Sequence, residues 1–194
     1  ISSKLAKQTE GVFYLRIEDT DKKREVEKGV EEIIESLSGY GITFDEGPFE
    51  NGDKGYGPYK QSGRKEIYQI CVKELMRKGY AYPCFCSEDQ LDKIRQTQEE
   101  KKEAIGYYGN YALCRELSFD EIEEKISLKI PYVVRLKSPG IAGRYISYCD
   151  PIRGKIEMPE NTLDLVLLKS DGIPTYHFAH VVDDHFMRTN LVVR

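Results

Sequence analysis

Three carboxylates, Glu18, Asp19 and Asp21, follow directly on the apolar stretch FYLRI at 13–17. Phe13, Leu15 and Ile17 alternate there with Tyr14 and Arg16, the period of a strand with one buried face. Open parallel α/β sheets bind ligands outside the carboxyl ends of their strands, so Glu18 stands where a ligand would. It can pair with a ligand ammonium through charge-assisted hydrogen bonds. Asp19, Thr20 and Asp21 have a simpler use. They suit the cap and first turn of a following helix, whose dipole favours negative charge.

Two further groups of residues could do chemistry. Tyr176, His177, His180, Asp183, Asp184 and His185 crowd PTYHFAHVVDDHF at 174–186. His177, His180 and Asp184 share one helical face by spacing, open to a metal or to a polar cleft lining. The missing H-E-x-x-H arrangement favours the cleft. Cys84, Cys86 and Cys114 could bind zinc, with Glu116 or Tyr111 as the fourth ligand. C-x-C is shorter than the usual two-residue knuckle spacing, and no histidine is near, so three partly buried thiols is the competing reading. No G-x-x-x-x-G-K-[ST] and no G-x-G-x-x-G after a strand occurs.

The elements that must position these residues follow from periodicity. Val26, Val30, Ile33, Ile34 and Leu37 form one helix face, capped by Thr20 or Asp21 and ended by Gly39 and Gly41. NGDKGYGP (51–58) is a Gly-rich loop. A second helix fits 64–78, with Ile67, Ile70, Cys71 and Leu75 as its apolar face. Ser87–Gln90 and Ser118–Glu121 read as capping boxes that open two polar helices. PYVVRLK, GRYISYC and RGKIEM read as strands, and LDLVLLK as a strand of a parallel sheet buried on both faces. NLVVR reads as the start of another strand. The order suits an α/β layer architecture, with a change of character at 82–158 that marks an inserted α+β unit.

Composition sets the outer bounds. The 194 residues are 40% apolar and 32% charged, with net charge −4, which neither advertises nor excludes a nucleic-acid partner. The basic runs KKR (22–24) and RQTQEEKK (95–102) suit solvated helix faces of mixed charge. Apolar runs such as LDLVLL are too short to span a bilayer. Five irregularly spaced cysteines argue for a reducing, cytoplasmic setting. The abrupt start at ISSKLAKQTEG and the end at LVVR suggest a piece of a longer protein.

Taken in order, LRIEDTD, GITFDEGP, YKQSGRKEIYQICVKELMRKGYAY, VVRLKSPG and LLKSDGIPTYHFAHVVDDH resemble bacterial glutamyl-tRNA synthetases, a family of class I aminoacyl-tRNA synthetases. The resemblance covers nearly the whole chain. It implies a Rossmann-type parallel sheet in two parts, 1–81 and 159–194, around an inserted domain at 82–158 that contacts the tRNA acceptor end. It implies ATP with Mg²⁺ and L-glutamate as substrates, tRNA(Glu) and in some members tRNA(Gln) as partners, and a monomer.

Within the resemblance, Glu18 matches the acidic residue that holds the substrate α-amino group, and Tyr176 the tyrosine of the glutamate pocket. Arg194 matches an arginine that fixes a substrate carboxylate. His180 stands where some members carry asparagine. Cys84, Cys86 and Cys114 match zinc-type members, with Glu116 where such members often have histidine. The HIGH- and KMSKS-type ATP motifs are absent from these residues, so the piece is expected to be inactive alone, with no catalytic residue within it. The alternatives are a glutamyl-queuosine paralogue that modifies a tRNA anticodon, a non-catalytic tRNA or amino-acid binding module, and a metal-dependent hydrolase using Asp183, Asp184 and His185.

Overall fold

The computed structural model describes residues 1–20 and 28–193. Asp21, the KKR run, Val26 and Arg194 lie outside the described residues. The chain is α/β, and it divides into two compact units: residues 1–70 with 176–194, and residues 71–175.

The first unit is organised around the extended segment 13–17. Leu15 N donates to Glu46 O, while Ile17 N donates to Tyr59 O and Gln61 N to Ile17 O, all within 3.0 Å. Tyr14–Glu46 and Ile17–Lys60 are therefore parallel bridges. These isolated bridges are the parallel pairing present among the described residues.

Helix α1 spans Ser2–Gln8 and helix α2 spans Gly29–Gly39. Thr20 does not cap α2, which starts at Lys28 with no side-chain cap. Val30, Ile34 and Leu37 are its half-buried positions; Ile33, counted in the apolar face, turns toward solvent. Its end is the one that the glycines predict. Gly41 takes φ 71°, Ile42 N reaches Leu37 O and Gly41 N reaches Ser38 O, a Schellman closure that needs a left-handed residue.

A 3-10 turn, Gln61–Arg64, runs into α3, Lys65–Arg77. Ile67, Cys71 and Leu75 of the expected apolar face are half-buried, and the face is corrected at Ile70 and at its most buried positions. Ile70 is 66% exposed, whereas Arg64, Tyr68 and Val72, spaced by four, are buried. A carboxylate remote in sequence, Asp183, draws the polar Arg64 and Tyr68 inward. The last helix of this unit is α6, Tyr176–Phe186, as the sequence predicts. Residues 190–193 form no strand.

In the second unit, β1 (Ala81–Cys84), β2 (Val133–Leu136) and β5 (Val166–Leu168) form one sheet in the order β1-β2-β5. Both pairings are antiparallel. The expectation of a parallel strand at LDLVLLK is thereby corrected. The apolar run fits either direction, and β2 decides it; the regular part is only three residues, and Leu165 is 40% exposed. β3 (Tyr145–Asp150) and β4 (Gly154–Pro159) make a separate antiparallel ribbon, exposed along most of its length. Both capping boxes form, opening α4 (Glu88–Glu100) and α5 (Phe119–Ser127). Asp164 organises the interior: it accepts from Tyr82 Oη at 2.6 Å, Arg115 Nη1 at 2.5 Å and Ser138 N at 2.8 Å.

Candidate functional site

The alternation that makes 13–17 extended also sends Tyr14, Arg16 and Glu18 to one side. Each meets a residue of α6 or the turn after it. Tyr14 Oη bonds Thr189 Oγ1, Arg16 Nη1 donates to Asp184 Oδ1 at 2.7 Å, and Glu18 Oε1 lies 2.8 Å from His180 Nε2. Steps of two along an extended chain thus match the 180, 184, 189 spacing. The carboxylate that ends the segment is its last rung, set where α6 begins.

These residues line a cleft of about 880 Å³ in the first unit, together with Tyr176, Glu46 and Phe44. The rings of Tyr176 and His180 pack at a tilt of 39° with centroids 4.1 Å apart. The cleft therefore brings together Glu18, Tyr176 and His180, three of the residues singled out from the sequence. Asp19 is turned away from α2. It accepts from Ser62 N at 2.8 Å and from Ser62 Oγ at 2.6 Å, fixing the 3-10 turn instead.

Behind the cleft, α6 is anchored by Asp183, which is fully buried. Its carboxylate accepts from Arg64 Nε at 2.7 Å, Gln61 Nε2 at 2.9 Å and Tyr68 Oη at 2.9 Å. Burial, with the adjacent Asp183, pushes the Tyr68 phenol well above its ordinary pKa, so it remains a donor. Arg16 completes this layer. Burial opposes its charge, but the Asp184 hydrogen bond together with the charges of Tyr14, Asp184 and Asp183 outweighs it and raises its pKa. With Asp183 and Asp184 so engaged, the hydrolase reading loses two of its three ligands. His177, His180 and Asp184 form no metal cluster among the described residues.

The second unit holds the other candidate. The sulfurs of Cys84, Cys86 and Cys114 lie within 4.8 Å of one another, with Cys86 Sγ 3.7 Å from Cys114 Sγ. A tetrahedron with metal–sulfur bonds of about 2.3 Å has edges of roughly 3.8 Å, so the spacing suits zinc. Neither expected fourth ligand is there. Glu116 points to solvent and pairs with Lys137 at 3.0 Å, and Tyr111 Oη donates to Glu103 at 2.6 Å.

Tyr107 is the residue beside the sulfurs, its hydroxyl 3.2 Å from Cys86 Sγ and 3.4 Å from Cys84 Sγ. Its oxygen also accepts from Cys114 N at 3.0 Å, and Arg135 lies 4.1 Å over its ring. Seven residues separate it from Cys114 in a tyrosine-rich loop, and no ligand spacing marks it in the sequence. Hydrogen bonds from Cys114 and Cys86 hold the Cys84 thiol far below its ordinary pKa; its contact with Cys114 pushes Cys86 up. The cluster thus favours thiolate character at one sulfur, as a metal ligand requires.

Residues 1–194 match the family model for class I tRNA synthetases (E and Q), catalytic domain. The chain is 51% identical over 195 residues to the glutamate–tRNA ligase of Acetivibrio thermocellus, and 48% identical over 196 residues to that of Clostridium perfringens. Each alignment covers the whole chain and 36% of the relative, so the chain spans about a third of their length. Among solved structures it is similar to a glutamate tRNA ligase from Elizabethkingia meningosepticum in complex with its amino acid. That likeness has a TM-score of 0.84 and 39% identity, and covers 96% of this chain and 38% of the other. The segment whose strand-end carboxylate faces the start of α6 is therefore part of a class I tRNA synthetase catalytic domain of the E and Q family, to which this chain belongs.

Proposed function

We propose that the complete open reading frame containing this chain ligates L-glutamate to tRNA(Glu) through a glutamyl-adenylate. The observation that carries the reading is the cleft in which Glu18 faces Tyr176 and His180. Glutamate attacks the α-phosphate of ATP, releasing pyrophosphate, and the terminal ribose of the tRNA then takes the glutamyl group. Such chemistry depends on positioning and on charge stabilisation rather than on a protein nucleophile. Glu18 holds the α-ammonium, Tyr176 and His180 form the wall beside it, and Arg194, outside the described residues, fixes a carboxylate. Mg²⁺ accompanies ATP as substrate.

The finer organisation follows the same reading. The two parallel bridges of segment 13–17 support a Rossmann-type sheet as the core, in parts at 1–81 and 159–194. The inserted domain that meets the tRNA acceptor end is placed at 82–158, inside the unit 71–175. The protein is read as a cytoplasmic monomer; no helix among the described residues is long and apolar enough to cross a membrane.

The test is aminoacylation by the complete open reading frame with labelled L-glutamate, ATP, Mg²⁺ and separate glutamate and glutamine tRNAs. Charging of tRNA(Glu) is expected, and the tRNA(Gln) arm reads out whether that tRNA is also a partner. Failure to charge either tRNA would turn the reading toward the queuosine paralogue or a binding module.

Zinc is proposed as a structural ion held by Cys84, Cys86, Cys114 and the Tyr107 hydroxyl. Bound there, it would tie the end of β1 to the loop before α5. Elemental analysis of the purified protein is expected to give about one zinc per chain. Cys86→Ser, which removes a central sulfur, should lower that by severalfold and sensitise the protein to heat. Undiminished zinc in this variant would exclude the site.

A further inference from the structure

Both ring nitrogens of His180 face acceptors. Nδ1 lies 3.1 Å from the Tyr176 carbonyl oxygen and Nε2 lies 2.8 Å from Glu18 Oε1. A neutral imidazole has a single N–H and can satisfy one of them; the imidazolium has two and satisfies both. The neighbouring carboxylates are engaged elsewhere. On its own helix, Asp184 is held by Arg16, and Asp183 by Arg64, Gln61 and Tyr68; Tyr176 and His177 complete that face. From the other segments around the cleft, Glu46 is engaged by Tyr59, while Arg16 and Arg188 are the nearby cations. His180 is 14% exposed and Glu18 39%, so the pair is sheltered on the imidazole side and open toward the cleft.

We propose that protonated His180 is the resident counter-ion of Glu18, and that capture of the substrate α-ammonium expels its proton. The proposal deepens the reading of Glu18 as the ammonium subsite and rests on it. Two cations cannot share one partly desolvated carboxylate without strong repulsion. When the ammonium takes Glu18, the Nε2 proton goes to solvent. Nδ1–H stays on the Tyr176 carbonyl, and the bare Nε2 accepts one of the ammonium N–H donors. The exchange balances: imidazolium–carboxylate plus ammonium gives imidazole, ammonium–carboxylate and one proton.

The sign follows from linkage. Glutamate binds the form lacking the proton, so affinity is full above the histidine titration range and falls as pH drops through it, approaching tenfold per pH unit. Calorimetric titration of the complete open reading frame with L-glutamate, from about pH 5.5 to 8 in two buffers of different ionisation heat, reads both quantities. The expected result is a Kd at least several-fold weaker at the acid end, with release approaching one proton per glutamate.

His180→Asn, which puts a non-titrating amide N–H beside Glu18, should flatten the profile and abolish the release. As a measurement free of the variant, the His180 ring resonance should titrate at lower pH in the glutamate-saturated protein than in the free one. Binding without proton release, or a His180→Asn protein that keeps the slope, overturns the inference alone. No glutamate binding at any pH overturns it together with the reading of the cleft.

Discussion

Replacing Asp183 with asparagine is expected to destabilise the first unit by about 3–5 kcal/mol, a third or more of a typical domain's stability. The size follows from what surrounds the carboxylate. Arg64 is 1% exposed and Asp183 fully buried, so the substitution leaves a guanidinium charge without its counter-ion in the interior. The new amide also turns N–H groups toward sites where Gln61 Nε2, Tyr68 Oη and Arg64 Nε all donate. Donor then faces donor, and at least one buried polar group loses its partner. Tyr68→Phe is the companion variant. It removes one donor from a carboxylate that keeps Arg64 and Gln61, and should cost only about 1 kcal/mol. Urea denaturation, with hydrogen exchange followed in peptides covering 61–72 and 176–187, distinguishes the two. An Asp183→Asn protein whose exchange in both peptides matches wild type would show that α6 is held by something else.

The same contacts explain which features the sequence discloses. The capping boxes at Ser87 and Ser118 close within four residues, so their chemistry is wholly local and legible. The Gly41 end is legible too, because a positive φ is demanded by the turn itself. The buried face of α3 is not. Periodicity assumes that apolar residues turn inward, but Arg64 and Tyr68 are buried by a carboxylate more than a hundred residues away. Strand direction at β5 fails for a related reason: an apolar run records burial, and its partner β2 sets the direction. In the cleft, the alternation Tyr14, Arg16, Glu18 is visible in the sequence, as is the polar face of α6. Their pairing rung by rung is a tertiary fact. Tyr107 is hidden because a hydroxyl that meets two thiols and the Cys114 backbone N–H carries no spacing signature.

Glu18→Gln is expected to raise the KM for L-glutamate in aminoacylation on the order of 10²-fold, with kcat changed far less. The carboxylate offers the ammonium a charge-assisted contact that a neutral amide of the same shape lacks, a difference of about 2–3 kcal/mol. The ammonium is not a reacting group, and its contact persists from bound substrate to transition state. Loss of such uniform binding appears in KM rather than in kcat. Steady-state charging by the complete open reading frame, with glutamate varied and tRNA and ATP saturating, measures the split. A fall confined to kcat would place Glu18 at the reacting carboxyl or phosphate instead of at the ammonium. The observed factor is also a net quantity. In the free protein Glu18 is already paired with His180 at 2.8 Å, so wild type gives up that pair to bind substrate and the variant gives up little. The gross strength of the ammonium contact therefore exceeds what the ratio of KM values reports. The gap should widen below the histidine titration range, where wild-type binding is the one that must expel a proton. The KM ratio between Glu18→Gln and wild type should accordingly shrink as pH falls, because acid weakens the wild type and leaves the variant nearly unchanged.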